Sequence, residues 1–192
     1  MFNILLNFWK KIIRSKANKI VRNEDRIYQR IGEFVVSYQW IEDRIRTIGW
    51  LIIDPNNENF PQKQLRNESS KKLFETFKEL LLEALPKCQL VEELELDFRN
   101  SLEENTERFH TLRKFRNVVL HSAYNELKAG GEVVGIVRTD PKIKIDNITQ
   151  EPIFDIELLS DKSFEKEMLE LAILALFLNR CRLQLIQRLP RN

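Results

Sequence analysis

The chain has 192 residues, 43% of them hydrophobic and 31% charged, enough for one domain with a substantial core and too apolar for a disordered segment. A net charge of +2 does not mark a nucleic-acid binder by itself, and only five glycines and six prolines leave little room for a strand-and-turn architecture. Composition therefore predicts an all-α fold, a helical bundle of four to five helices.

The first predicted element is "MFNILLNFWKKIIRSK", an amphipathic basic helix over residues 1–17. Phe2, Leu5, Leu6, Trp9, Ile12 and Ile13 recur at helical spacing, opposite Lys10, Lys11 and Lys16. Its positive charges follow the apolar stretch instead of preceding it, unlike a signal peptide. Such a helix docks on its own domain or on a partner, and a membrane surface is a further option. Residues 1–30 carry eight Lys/Arg against Glu24 and Asp25, and Arg180, Arg182, Arg188 and Arg191 make the other end basic too. Basic ends suit a polyanion, but they equally suit solvated helix faces.

A single domain is predicted over 18–192. Its first helix runs from about Asn18 to Ile53, with Ile27, Ile31, Phe34, Tyr38, Ile41, Ile45, Ile48 and Ile52 on the 3.6-residue period. "DPNNENFP" ends it as a loop. The next helix follows Ser69 or Ser70 as cap and runs to Pro86. Another extends from about Val91 to Leu120, with Leu94, Phe98, Leu102, Phe109, Leu112, Phe115 and Val119 on one side. The texture then changes, and a small β-hairpin insertion is expected at about 124–158. There "YNELKAGGEVVGIVRTD" reads as strand, Gly-Gly turn, strand, and "KIKID" and "PIFDIEL" are short strands. Ser163, with Glu165 and Glu167, marks the start of the last helix. That helix is apolar nearly all round through its middle, which predicts a central stave buried on several sides.

Most catalytic signals are missing. Gly130, Gly131 and Gly135 sit in a hairpin, so no phosphate-cradling loop forms. Cys88 and Cys181 stand alone, which supports neither a disulfide framework nor a zinc site and suits a cytoplasmic protein; no metal or cofactor is expected. No apolar run reaches the roughly 18–20 residues that span a membrane. What stands out is "LRKFRNVVLHSAY" at the end of the long helix. At 100° per residue, His110, Arg113, Lys114, Asn117 and His121 share one polar face, with Ser122 and Tyr124 just beyond. Arg116 instead lies within the apolar arc of Phe98, Phe109, Leu112 and Val119, where a charge is costly unless paired. Glu42 is the matching anomaly among Tyr38, Ile41 and Ile45, so an ion pair between Glu42 and Arg116 is expected. A buried ion pair with a surface histidine is one reading of these residues. A general acid/base beside a fixed positive charge, suited to a phosphodiester, is the other.

"RNVVLH", an Arg-polar-x-x-x-His run near the end of a long helix in a small helical bundle, resembles the HEPN superfamily. The resemblance is specific at Arg116, Asn117 and His121. Many members are metal-independent endoribonucleases, often toxins or antiviral effectors, that dimerise so that two motifs face each other. By position it makes Arg116 and His121 the catalytic pair and Asn117 their polar companion. From their places in the sequence, Glu42, Arg113, Lys114, Ser122 and Tyr124 are expected to support them. It implies RNA as substrate, a homodimer, and an antitoxin or regulatory protein as partner. Some members carry a modifiable tyrosine two residues after the histidine; here that position is Ala123 and Tyr124 comes one later. Other members are inactive, and the alternative is a non-catalytic helical module that binds a protein, nucleic acid or a membrane surface.

Overall fold

Nothing in residues 2–53 can end a helix: the stretch holds no proline, and its two glycines lie a turn or more from either end. In the computed structural model these residues accordingly form one helix, α1 (Phe2–Ile53). The structure describes residues 2–56, 63–140, 142, 144–145, 152–153, 155–160 and 162–190, with the side chains of 2–24, 63–64, 132, 144 and 152 left aside. The break expected between residues 17 and 18 is therefore not there, because Asn18 continues the backbone ladder. The helix stops where Pro55 pushes Asp54 out of the helical region, and the Asp54 amide closes the last turn on the Trp50 carbonyl at 2.9 Å.

The other elements, in order, are α2 (Lys63–Arg66), α3 (Ser70–Ala84), a 3₁₀ turn over Leu85–Cys88, α4 (Glu92–His121), β1 (Ala123–Ala129), β2 (Glu132–Thr139), β3 (Lys144–Ile145), β4 (Pro152–Ile153), β5 (Ile156–Leu159) and α5 (Glu165–Arg188). The described residues are thus mostly helical, with a small β insertion before the last helix. Residues 57–61 of the expected loop, and much of the stretch from 141 to 151, lie outside the described residues.

Contacts divide the chain into two compact units, one of residues 1–34 and 117–165, the other of residues 35–116 and 166–192. The second is a helical bundle. Ile41, Ile45 and Ile48 of α1, Leu73, Phe74, Phe77 and Leu81 of α3, Phe98, Leu102, Phe109 and Leu112 of α4, and Leu171, Leu174, Leu178 and Leu185 of α5 are all buried. Phe109 organises the centre, its ring 4.4 Å from that of Phe74 and 5.6 Å from that of Tyr38. Such pairs add about 0.5–1.5 kcal/mol beyond the burial of their area. A Cβ at Gly49 would come within 2.9 Å of a Leu65 side-chain methyl, so a larger residue there would have to displace that methyl. α3 begins after Ser69, but the serine hydroxyl makes no capping bond; the Ser69 carbonyl takes the Leu73 amide instead, at 2.8 Å.

The first unit holds the sheet. β1 and β2 pair as an antiparallel hairpin across Gly130 and Gly131, whose φ values of 61° and 84° are those of a two-residue primed turn. β5 adds to β2 with Ile136 opposite Leu159, giving the strand order β1-β2-β5, and β3 and β4 form a separate pair. The insertion is thus a three-stranded sheet with a separate two-stranded pair, and β3, β4 and β5 fall on the "KIKID" and "PIFDIEL" segments expected as short strands. Ile136 and Leu159 turn inward and are buried, while Leu127, Val134, Ile156 and Leu158 are exposed.

α5 departs from expectation twice. Ser163 does not cap it: its hydroxyl accepts the Ser160 amide at 2.9 Å, and Phe164 precedes the helix at φ 74°. Nor is the helix buried all round. Leu171, Leu174, Phe177, Leu178, Cys181 and Leu185 face the bundle, whereas Leu169, Leu176 and Leu183 face outward.

Candidate functional site

Apart from Glu42 on α1, the candidate residues lie near the end of α4 and at the start of the strand after it. In the helical unit, His110 is already engaged. Its Nε2 donates to the Glu75 carboxylate at 2.8 Å, its ring lies edge-on to Phe74 and Phe109, and its Nδ1 is buried with no partner among the described residues. A histidine so clamped serves packing.

One turn on, Arg113 is half-buried, with its Nε enclosed, and Lys114 is exposed. Arg116 is half-buried and holds its guanidinium 5.8 Å from the centre of the Tyr38 ring. Such stacking is a preferred mode for the planar guanidinium.

Glu42 is buried at 8% exposure, as its place on the α1 period predicts. Two of its contacts were not foreseen from sequence. The Ser70 hydroxyl at the start of α3 donates to its carboxylate, and Arg46, one turn along α1, lies 3.9 Å away. Arg46 has a second acid partner in Asp43 at 2.9 Å. A negative carboxylate at the first turn of α3 is favourable, because the free amides and the helix dipole are positive there.

Tyr38 closes this cluster. Burial pushes its phenol well above the ordinary range, and the Glu42 carboxylate adds to the rise; Ser70, Arg116 and Arg113 work against it. Its hydroxyl makes no hydrogen bond of good geometry among the described residues, although Ser70 is near enough to act on it. Tyr38 is thus the shared centre of a partly buried polar group, with Glu42 acting on its neutral phenol in one direction and Ser70, Arg113 and Arg116 in the other. Sequence reading assigned Ser70 only a capping role and Tyr38 only a core role. The usable signal was polarity on an otherwise apolar stripe, present at Tyr38 as it was at Glu42.

In the sheet-bearing unit, Asn117 is half-buried and His121 is exposed at the final residue of α4. The His121 side chain makes no hydrogen bond or ion pair among the described residues. Just after it, the backbone is tied down. The Ser122 amide and hydroxyl both reach the Val118 carbonyl, at 2.9 and 2.7 Å, and the Tyr124 hydroxyl donates to the Val119 carbonyl at 2.8 Å. Ser122 and Tyr124 thus satisfy carbonyls that the helix end would leave bare. Burial raises the Tyr124 phenol above its ordinary range, with Arg138 opposing and Glu157 reinforcing the shift.

The two expected catalytic residues share α4, with Arg116 closing the stretch in the helical unit and His121 in the sheet-bearing unit. A groove of about 490 Å³ in the helical unit, lined in part by Thr111, Phe115 and Glu167, contains neither residue. Among the described residues, no group of three or more His, Cys, Asp or Glu is placed to hold a metal ion, and no helix is long and apolar enough to cross a membrane. No family model, curated protein or solved structure matches the chain.

Proposed function

We propose that the chain is a metal-independent endoribonuclease that acts as a homodimer on single-stranded RNA, with Arg116 and His121 as its catalytic pair and Asn117 beside them. The observation that carries this reading is the contrast between the two histidines. His110 is clamped to Glu75 between rings, and His121 stands exposed on a helix end fixed by Ser122 and Tyr124. A free imidazole on a rigid support is what proton transfer needs.

In the reaction, the His121 imidazole takes the proton of a ribose 2′-OH, and the 2′-oxygen forms its bond to phosphorus. The bond to the 5′-oxygen breaks, and that oxygen receives a proton from a second, protonated histidine. The products are a 2′,3′-cyclic phosphate and a 5′-hydroxyl. A guanidinium stabilises the charge that gathers on the equatorial oxygens. One histidine cannot readily be base and acid in the same step, and a two-fold dimer supplies the second.

The test is cleavage of single-stranded RNA in EDTA, with the ends analysed. The wild-type protein is expected to leave 2′,3′-cyclic phosphates, and His121→Ala and Arg116→Ala are each expected to slow cleavage by about 10²–10⁴-fold. His110→Ala should retain most of the rate. No cleavage by the wild type, or equal losses from both histidine variants, would overturn the assignment.

A further inference from the structure

We infer that Tyr38 is a positioning residue for Arg116, and that its ring, not its hydroxyl, holds the guanidinium in the orientation from which it acts on a phosphate. The task of Arg116 rests on the ribonuclease reading; the task of Tyr38 goes beyond it, since it gives a residue of the core a part in the rate.

Tyr38 is fixed by contacts other than Arg116. It is 0% exposed, and its ring stacks on Phe109 with centroids 5.6 Å apart and planes 28° from parallel. Phe109 stacks in turn on Phe74 at 4.4 Å and 22°. Three helices thus give one ring each to a column, Phe74 from α3, Phe109 from α4 and Tyr38 from α1, and all three rings are fully buried. Aromatic side chains packed in this way keep to one rotamer. Arg116 follows Phe109 by two turns on the same face of α4, about 10.5 Å along the helix. The Tyr38 ring therefore touches two positions of one stripe of α4: the Phe109 ring and, 5.8 Å from its centre, the Arg116 guanidinium. An arginine side chain has several rotatable bonds and a large rotamer entropy, so an immovable flat surface narrows its choices sharply. The guanidinium is held where it can face the ring.

The character of the contact says which part of Tyr38 matters. An ionised phenol would meet the cation as a charge, whereas a neutral ring attracts it through its quadrupole. Burial, reinforced by the Glu42 carboxylate, keeps the phenol neutral. The hydroxyl makes no hydrogen bond of good geometry among the described residues, so the ring does not depend on it for its place. A phenylalanine can therefore do the same work, and an aliphatic residue of similar bulk cannot.

The test reads both RNA cleavage and the arginine itself. Tyr38→Leu should lower kcat by about 3–30-fold, the rate equivalent of a cation–ring contact, with KM unchanged because the charge that Arg116 answers gathers only in the transition state. Tyr38→Phe should recover most of that loss. In an Arg116→Ala background Tyr38→Leu should change the rate by less than about twofold, since nothing is left to position. A merely structural tyrosine would slow both backgrounds alike. The Arg116 Nε is enclosed, so its N–H should be visible by NMR in ¹⁵N-arginine-labelled protein and assignable by its absence from Arg116→Lys. That signal should carry a ring-current shift in the wild type and in Tyr38→Phe and lose it in Tyr38→Leu. A wild-type signal at the position of an exposed arginine overturns the inference, whether or not Tyr38→Leu folds. So does a folded Tyr38→Leu with unchanged kcat, a Tyr38→Phe as slow as Tyr38→Leu, or an equal loss in the Arg116→Ala background. Each of these leaves the ribonuclease reading standing while the wild type cleaves RNA; a wild type that does not cleave removes both.

Discussion

The helical unit and the sheet-bearing unit place their apolar residues differently. In the helical unit, long side chains from α1, α3, α4 and α5 interlock, and even the polar residues Tyr38, Glu42 and His110 are held by neighbours. In the sheet-bearing unit, Ile136 and Leu159 turn inward while Leu127, Val134, Ile156 and Leu158 stay in solvent. Structural load and chemical availability are thus separated along one chain. A polar group in the first setting is fixed by its contacts and has little freedom to react. His121, in the second, has that freedom.

The largest effect that could break this comparison is on Phe109. Its ring meets both Phe74 and Tyr38 at full burial, so Phe109→Ala should cost about 3–5 kcal/mol in urea unfolding. Leu158→Ala, at a residue 62% exposed, should change stability by no more than about 0.5 kcal/mol. Comparable losses would mean that the sheet carries as much of the fold as the bundle does. Next comes Glu42→Ala, expected to lower stability by about 1–3 kcal/mol because the Ser70 hydroxyl loses its acceptor in a buried setting. Glu42→Gln should recover part of that, since an amide oxygen still accepts the bond. An unchanged melting temperature for Glu42→Ala would remove the cluster from the stabilising interactions.

His110→Ala should cost about 1 kcal/mol through its bond to a half-exposed Glu75, and His121→Ala no more than about 0.5 kcal/mol. If His121 proved the more stabilising of the two, the contrast between the settings would fail. The smallest effect is the response to mild alkali. Burial pushes the Cys181 thiol up to about 12 from an ordinary 9.0, and it raises the Tyr38 phenol as well. Folded values above unfolded ones mean stability that is complete below pH 9 and is lost as pH climbs toward 12. Thermal melts should therefore be flat across pH 7–9 as far as these two groups contribute, then fall. Cys181 should resist thiol reagents at pH 8 until the protein unfolds; rapid labelling of the native protein would show that α5 opens readily.

The helices were legible because their apolar residues follow 3.6-residue spacing over long spans; Ile27 to Ile48 is the clearest case. The hairpin was legible from Gly130 and Gly131, which satisfy a turn that few other residues adopt. Two features were hidden for physical reasons. The merger of two expected helices into α1 followed from the absence of a stop signal, and a change of charge at residue 17 is not one. The outer stripe of α5 was hidden because an apolar residue reads alike whether it faces the core or solvent. At the candidate site, Arg116, Asn117 and His121 could be placed on α4 from spacing alone. The contacts of Glu42 could not, because Ser70 and Arg46 offer polar atoms that no periodicity reveals.

The entry to α5 holds a conflict between backbone and side chain. Phe164 sits at φ 74°, a region that bulky residues avoid at a cost of about 1–2 kcal/mol. Its ring is nonetheless buried and stacks on Phe34, with centroids 5.9 Å apart and planes 20° from parallel. Local preference and tertiary packing disagree at this position, a small instance of frustration. Phe164→Gly relaxes the backbone while it abandons the stack, and Phe34→Ala abandons the stack while the backbone stays strained. The second change should therefore be the more damaging, even though it leaves the unusual residue untouched.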